Sequence, residues 1–78
     1  MPMLRRVKLI YPAHLVDRPI LYEMIKRFDI VTNIRAANIT AEAGWLVVEL
    51  SGESAQLEAA LAWVMEQGVQ VEWLTSPA

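Results

Sequence analysis

"GWLVVELSGESAQLEAALAWVMEQGVQVEWL", residues 44–74, changes its hydrophobic period twice, and those two changes decide the fold. In "WLVVEL", Leu46, Val48 and Leu50 point one way and Trp45, Val47 and Glu49 the other, the period of a half-buried strand. "SGES" closes that strand and opens a helix, with Ser54 as the expected N-cap. In "AQLEAALAWVMEQ" the apolar residues Leu57, Ala60, Leu61, Val64 and Met65 fall on one helical face. Gly68 follows, suited to end the helix in a left-handed conformation. "VQVEWL" then returns to strand alternation.

The first half of the chain repeats the plan. "RRVKLIYP" alternates Val7, Leu9 and Tyr11 with Arg6, Lys8 and Ile10 and ends at Pro12, which predicts a strand. "AHLV" is a short connection. Asp17 reads as a helix N-cap and Pro19 as part of the first turn. In "ILYEMIKRF", Ile20, Leu21, Met24, Ile25 and Phe28 form the buried stripe. A second strand is expected over 30–40, followed by "AEAG", with Gly44 placed for a hairpin turn.

Strand, helix, strand, strand, helix, strand is the ferredoxin-like order: an α+β domain with right-handed crossovers. Its four-stranded antiparallel sheet runs 4-1-3-2, with both helices on one face. Strand one then lies between strands three and four, so outward Arg6 and Lys8 are expected to meet outward Glu49 and Glu72. Such cross-strand pairs contribute about 0.2–1 kcal/mol each. The chain is read as a single domain over 1–78, with its core over about 5–75 and "TSPA" as a frayed tail.

Composition sets further bounds. A chain of 78 residues buries only roughly 60–65% of its unfolded surface. With no cysteine, it has neither a disulfide nor a thiolate-held metal cluster, and its 55% apolar content must supply the stability. The formal charge of -2, pI near 5.2 and one short basic stripe (Arg5, Arg6, Lys8) argue against nucleic acid. No apolar run reaches the length of a membrane span, and charges occupy the place of a signal-peptide core. A soluble, intracellular, cytoplasmic protein is expected, with no cofactor and no metal.

No catalytic constellation is visible. His14 is the only histidine and reads as a loop residue. Asp17 and Asp29 read as helix-boundary residues, and Glu49 and Glu72 as members of a surface ion-pair ladder. The three glycines sit at turns and not in a phosphate loop. Three positions keep two readings. Trp63 lies off its helix's buried stripe, either folded over the helix edge or offered to a partner chain. Trp45 and Val47, with Ile10 and Leu74, form an apolar group on the open sheet face, a candidate interface for a second copy or another protein. Asn33 interrupts a β-branched run in which Asn is normally depleted. Its amide either ties down local backbone at a bulge or presents a donor and an acceptor to a small zwitterion.

The sequence resembles the NIL domain family along nearly its whole length. The resemblance rests on "VDRP" at 16–19, Arg27–Phe28, Asn33–Ile34, "LVVELSG" at 46–52, "ALAW" at 60–63 and the closing "VEWL". That family is the ACT-like module at the C-terminus of methionine-importer ATPase subunits. It also occurs fused to ferredoxin domains and as short free-standing proteins, often in cyanobacteria. The family's Asn-Ile-Leu triplet reads Asn33-Ile34-Arg35 here. The resemblance implies a non-catalytic sensing domain that dimerises and binds methionine or a related amino acid near Asn33, Ile34 and Arg35. A protein partner such as an electron-transfer protein is the alternative. Without an ATPase segment or cysteines among these residues, a free-standing form is expected.

Overall fold

The computed structural model describes residues 3–74; the tail expected to fray, 75–78, lies outside the described residues. Its elements are β1 (Met3–Tyr11), a 3-10 turn (Ala13–Leu15), α1 (Ile20–Arg27), β2 (Ile30–Ile39), β3 (Gly44–Gly52), α2 (Ser54–Glu66) and β4 (Gln70–Trp73). The sheet order is β2-β3-β1-β4 and every pairing is antiparallel, as expected for the ferredoxin-like fold.

The alternation read in the sequence fixes the faces. Val7 lies opposite Val48 and Leu9 opposite Leu46, and all four are buried. Ile20 and Met24 of α1, with Leu57, Ala60, Leu61 and Val64 of α2, close over them to form one core. Among the described residues no charged side chain is buried, and the phenol of Tyr11 is the one polar-tipped side chain in the core. The core therefore relies on apolar area alone, at about 25 cal/mol per Å² removed from water.

The end of α2 behaves as read. Gly68 adopts φ +105°, its N–H donates to the Met65 carbonyl at 3.0 Å, and the Val69 N–H donates to Val64 at 3.3 Å. These two bonds make a Schellman cap, which satisfies carbonyls the helix leaves open.

Four local expectations are corrected. Helix α1 starts at Ile20 with Pro19 in the capping position and no side-chain cap, so Asp17 is not the N-cap. The preceding turn closes through backbone bonds, Arg18 N–H to Leu15 O among them. Arg18 instead grips Glu23 in two 2.9 Å bonds. Ser54 is the first residue of α2 and Glu53 occupies the cap. Gly44 lies in β3 and not in the turn; Thr40 builds the turn, its N–H donating to Ala43 O at 2.8 Å and its hydroxyl accepting from the Ala43 N–H at 3.2 Å. Ile25 and Met65, assigned to buried stripes, are 41% and 48% exposed because each sits at the margin of its helical face.

Candidate functional site

β2 is the long edge of the sheet. It is hydrogen-bonded to β3 on one side, its other edge faces away from the sheet, and only Ile30 of its ten residues is buried. Two contacts hold its start. The Asp29 N–H donates to the Gln56 side chain at 2.9 Å, and Ile30 sits opposite Gly52. Beyond Ile34 the register with β3 slips by one, leaving Arg35 without a partner across the ladder. Such a bulge re-aims side chains and is a common feature of edges beside functional sites.

The three triplet residues leave this strand differently. Asn33 lies opposite Glu49 on the open face, is exposed, and its amide makes no hydrogen bond to any described residue. Ile34 lies opposite buried Val48, so it emerges on the helix-bearing face, where it is 50% exposed. Arg35, at the bulge, contributes to the field around Glu49. The hydrogen bond from Arg6 is the main cause that holds the Glu49 carboxyl below the usual carboxylate range, and the nearby charges of Arg6 and Arg35 add to it. The Arg6 Nε donates to Glu49 at 3.1 Å. One patch thus offers an amide, a carboxylate and a guanidinium around the midpoint of β2. A molecule touching both Asn33 and Ile34 has to lie along the strand's edge, because the two side chains leave opposite faces.

Of the remaining sequence candidates, Val47 adjoins this patch, two residues from Glu49 on the same face of β3, and the others lie farther off. Trp45 lies opposite Ile10 and Asn38 on the open face, and Lys8 Nζ sits 4.9 Å above its ring in a cation–π contact. The ladder expected of Arg6, Lys8, Glu49 and Glu72 is therefore formed at Arg6–Glu49, whereas Lys8 lies opposite Glu72 in register but leans over Trp45. Val47 pairs with Lys8 and Ala36 on the same face. Trp63 is half-buried and folded onto its own domain, 6.3 Å from Phe28, with the Arg27 guanidinium 5.0 Å and that of Arg18 5.9 Å from its ring. His14 is exposed in the 3-10 turn. Among the described residues no group of three His, Cys, Asp or Glu side chains could hold a metal ion, and no helix is long and apolar enough to cross a membrane.

Sequence reasoning missed a cleft of about 340 Å³ between the start of α1 and the far end of the β2–β3 hairpin. Its lining includes Tyr11, Val16, Leu21, Ile39 and Leu46. Tyr11, Leu21, Ile39 and Leu46 read as strand or helix-stripe residues and Val16 as part of a short connection, and no sequence signal marks where a helix stops short of covering an edge strand.

Fold and edge together define a ferredoxin-like domain whose least committed surface is one strand edge. The chain belongs to the NIL domain family, whose profile matches residues 5–73. It is 35% identical over 69 residues to the methionine import ATP-binding protein MetN of Helicobacter hepaticus, covering 83% of this chain and 20% of that protein. The Escherichia coli K12 protein of the same name is 35% identical over 77 residues, covering 94% of this chain and 22% of its own length. The chain thus spans about a fifth of these relatives. The C-terminal domain of an ABC transporter ATP-binding protein from Enterococcus faecalis superposes with TM-score 0.81 at 22% identity, covering 92% of this chain and 84% of that one. The de novo designed protein Foldit4 shares the fold at TM-score 0.64 and 10% identity.

Proposed function

We propose that this domain is a non-catalytic regulatory module that binds methionine or a related amino acid along the free edge of β2, within a homodimer. The observation that carries the reading is Asn33. An amide with both a donor and an acceptor sits exposed on an edge strand, beside a bulge and without any described partner. Methionine import by the relatives supplies the ligand class. Arg35 offers a cation for an α-carboxylate and Asn33 can serve either end, while Glu49, engaged by Arg6 through one carboxylate oxygen, has its other oxygen for an α-ammonium. Ile34, on the other face, reaches a ligand only around the edge. A second copy pairing along β2 would both close that site and cover Ile34 and Ile39, which are 50% and 57% exposed. Trp45 and Val47 extend the interface over the open face; Trp63, already packed against Phe28 in a tilted pair, has less to offer a partner.

The test is calorimetric titration with the twenty amino acids, beside light scattering. We expect methionine, or a close apolar analogue, to bind and a dimer mass to be recorded at about 100 μM chain, above the micromolar affinities typical of such interfaces. A monomer that binds no amino acid overturns the reading and leaves a protein-docking module, for which the apolar open face around Trp45 is the surface to probe.

A further inference from the structure

We propose that the cleft between α1 and the β2–β3 hairpin is a second binding site. Its ligand is an uncharged, mostly apolar small molecule with one hydrogen-bond acceptor, which the Tyr11 hydroxyl receives. The site is distinct from the triplet patch. Gly44 at the cleft and Glu49 beside Asn33 are five residues apart on β3, about 17 Å at ~3.4 Å per residue.

Three observations lead to this ligand class. The first is volume: about 340 Å³ is at the lower end of small-molecule sites. Gly44 helps to keep it open, since a Cβ there would stand 3.2 Å from Ile39 Cγ1. The second is charge. Among the described residues of the lining Arg18 is the one charged side chain, and both of its bonds to Glu23 are 2.9 Å, so its cation already has a counter-ion. The walls are otherwise mostly apolar, Val16, Leu21, Ile39 and Leu46 among them, with Tyr22, 60% exposed, the other phenol of the lining.

The third is Tyr11. The residue is 7% exposed and lines the cleft, and its hydroxyl makes no hydrogen bond to any described residue. No fully enclosed side-chain oxygen or nitrogen among the described residues lacks a partner, so this hydroxyl keeps an accessible face. The cleft, which Tyr11 lines, is the cavity beside it that could hold a partner for that hydroxyl. Buried phenols usually find a partner, and one without it calls for a ligand or solvent. Burial pushes its pKa up to about 12, so the group stays protonated and able to donate at neutral pH.

The probes are acetophenone, ethylbenzene and benzoate, titrated into the whole chain and followed by amide chemical shifts. Acetophenone should shift the amides of Tyr11, Leu21, Gly44 and Leu46 with a dissociation constant on the order of 0.1–1 mM. Ethylbenzene should bind the same place more weakly. Tyr11→Phe should weaken acetophenone about threefold to tenfold and leave ethylbenzene unchanged. Leu21→Trp, which fills the cleft, should remove both. Should that variant fail to fold, the Tyr11→Phe comparison decides alone. The proposal is overturned by no shifts at these amides, by equal acetophenone affinity in Tyr11→Phe, or by benzoate binding more tightly than acetophenone. Methionine shifting these amides, and not those around Asn33, would also overturn it, by making the cleft the amino-acid site. Methionine failing to bind anywhere counts only against the β2 reading.

Discussion

β3 and β2 are neighbours paired over nine positions, yet they are built to opposite ends. Along β3, burial alternates from Gly44 to Leu50 without a break, while β2 is exposed at eight of its ten residues. The difference is position. β3 lies between β2 and β1, beneath the helices, whereas β2 lies at the margin with one edge unpaired. A strand whose every second residue fills the core cannot spend those positions on anything else. A strand outside the core can carry an Asn, an Arg and a bulge at little cost, and the least committed segments are where binding function concentrates.

The contrast is broken or upheld most sharply by the same change on both strands. Val48 is wholly buried, and Ile34 stands directly opposite it across the ladder. Val48→Asp, like Leu9→Asp, places an unpaired carboxyl in the only core. The cost is comparable to the entire stability of a domain this size, about 4–12 kcal/mol at roughly 0.05–0.15 per residue over 78 residues. Both should lose cooperative melting by far-UV circular dichroism. Ile34→Asp should melt within about 1 kcal/mol of the parent. Native melting of Val48→Asp, or unfolding of Ile34→Asp, would mean the two strands are not divided as described.

What was readable in the sequence divides along the same line. Val7, Leu9, Leu46, Val48 and Leu50 declared their face by strict alternation, and strand order followed from the order of elements. In "IVTNIRAANI" alternation fails, and the failure marks a strand freed from the core; it does not reveal which side of Asn33 is open. The cap was misplaced at Asp17 because the turn before α1 closes through backbone bonds and brings Pro19 to the capping position, and at Ser54 by one residue, since Glu53 occupies that place. Ile25 and Met65 misled because a helical stripe has margins whose burial depends on what stands opposite. The cleft at Tyr11 was invisible for the same reason: it arises from where α1 ends relative to β2.

A smaller effect distinguishes the two ends of β2. A Cβ at Gly52 would stand 3.0 Å from the Asp29 carbonyl oxygen, which is backbone, and 3.3 Å from Ile30 Cγ2. At Gly44 the obstacle is the side chain of Ile39, which is 57% exposed and free to turn aside. Gly52→Ala should therefore cost about 1–3 kcal/mol by overpacking. Gly44→Ala should be nearly neutral, its slight crowding offset by the reduced entropy of the unfolded chain. Urea midpoints, at about 1 kcal/mol per molar for a small protein, resolve the two. Equal losses would mean that β2 is held as firmly at its far end as at its start.

Smaller still is the coupling of β3 to its two neighbours through Glu49. Its pKa is lowered first by the hydrogen bond from Arg6 on β1, and Arg35 on β2 acts only through its charge. A carboxyl held low in the folded chain contributes stability above its unfolded pKa and loses it as pH falls through the folded value. Acid should therefore weaken the parent, and Glu49→Gln should flatten that loss. A carboxyl-carbon NMR titration should show Glu49 moving upward clearly in Arg6→Ala and only slightly in Arg35→Ala. The reverse order would tie β2 to β3 more tightly than β1 is tied.

The smallest expected change in stability belongs to Asn33→Ala, and it is the one that bears on function. An amide holding local backbone would leave a polar group unpaired on removal, at about 1–3 kcal/mol. Here the amide is exposed and makes no bond to a described residue, so the unfolding curve of the variant should match the parent within about 0.5 kcal/mol. If the side chain contacts a bound amino acid, its loss should appear in affinity, about tenfold to a hundredfold in Kd. Calorimetry with methionine, run beside urea unfolding on parent and variant, measures both quantities on the same samples. Unchanged stability with weakened binding assigns Asn33 to the ligand. A variant that unfolds early and a parent that binds nothing would return Asn33 to the scaffold, and the free edge of β2 would then be a surface for another chain alone.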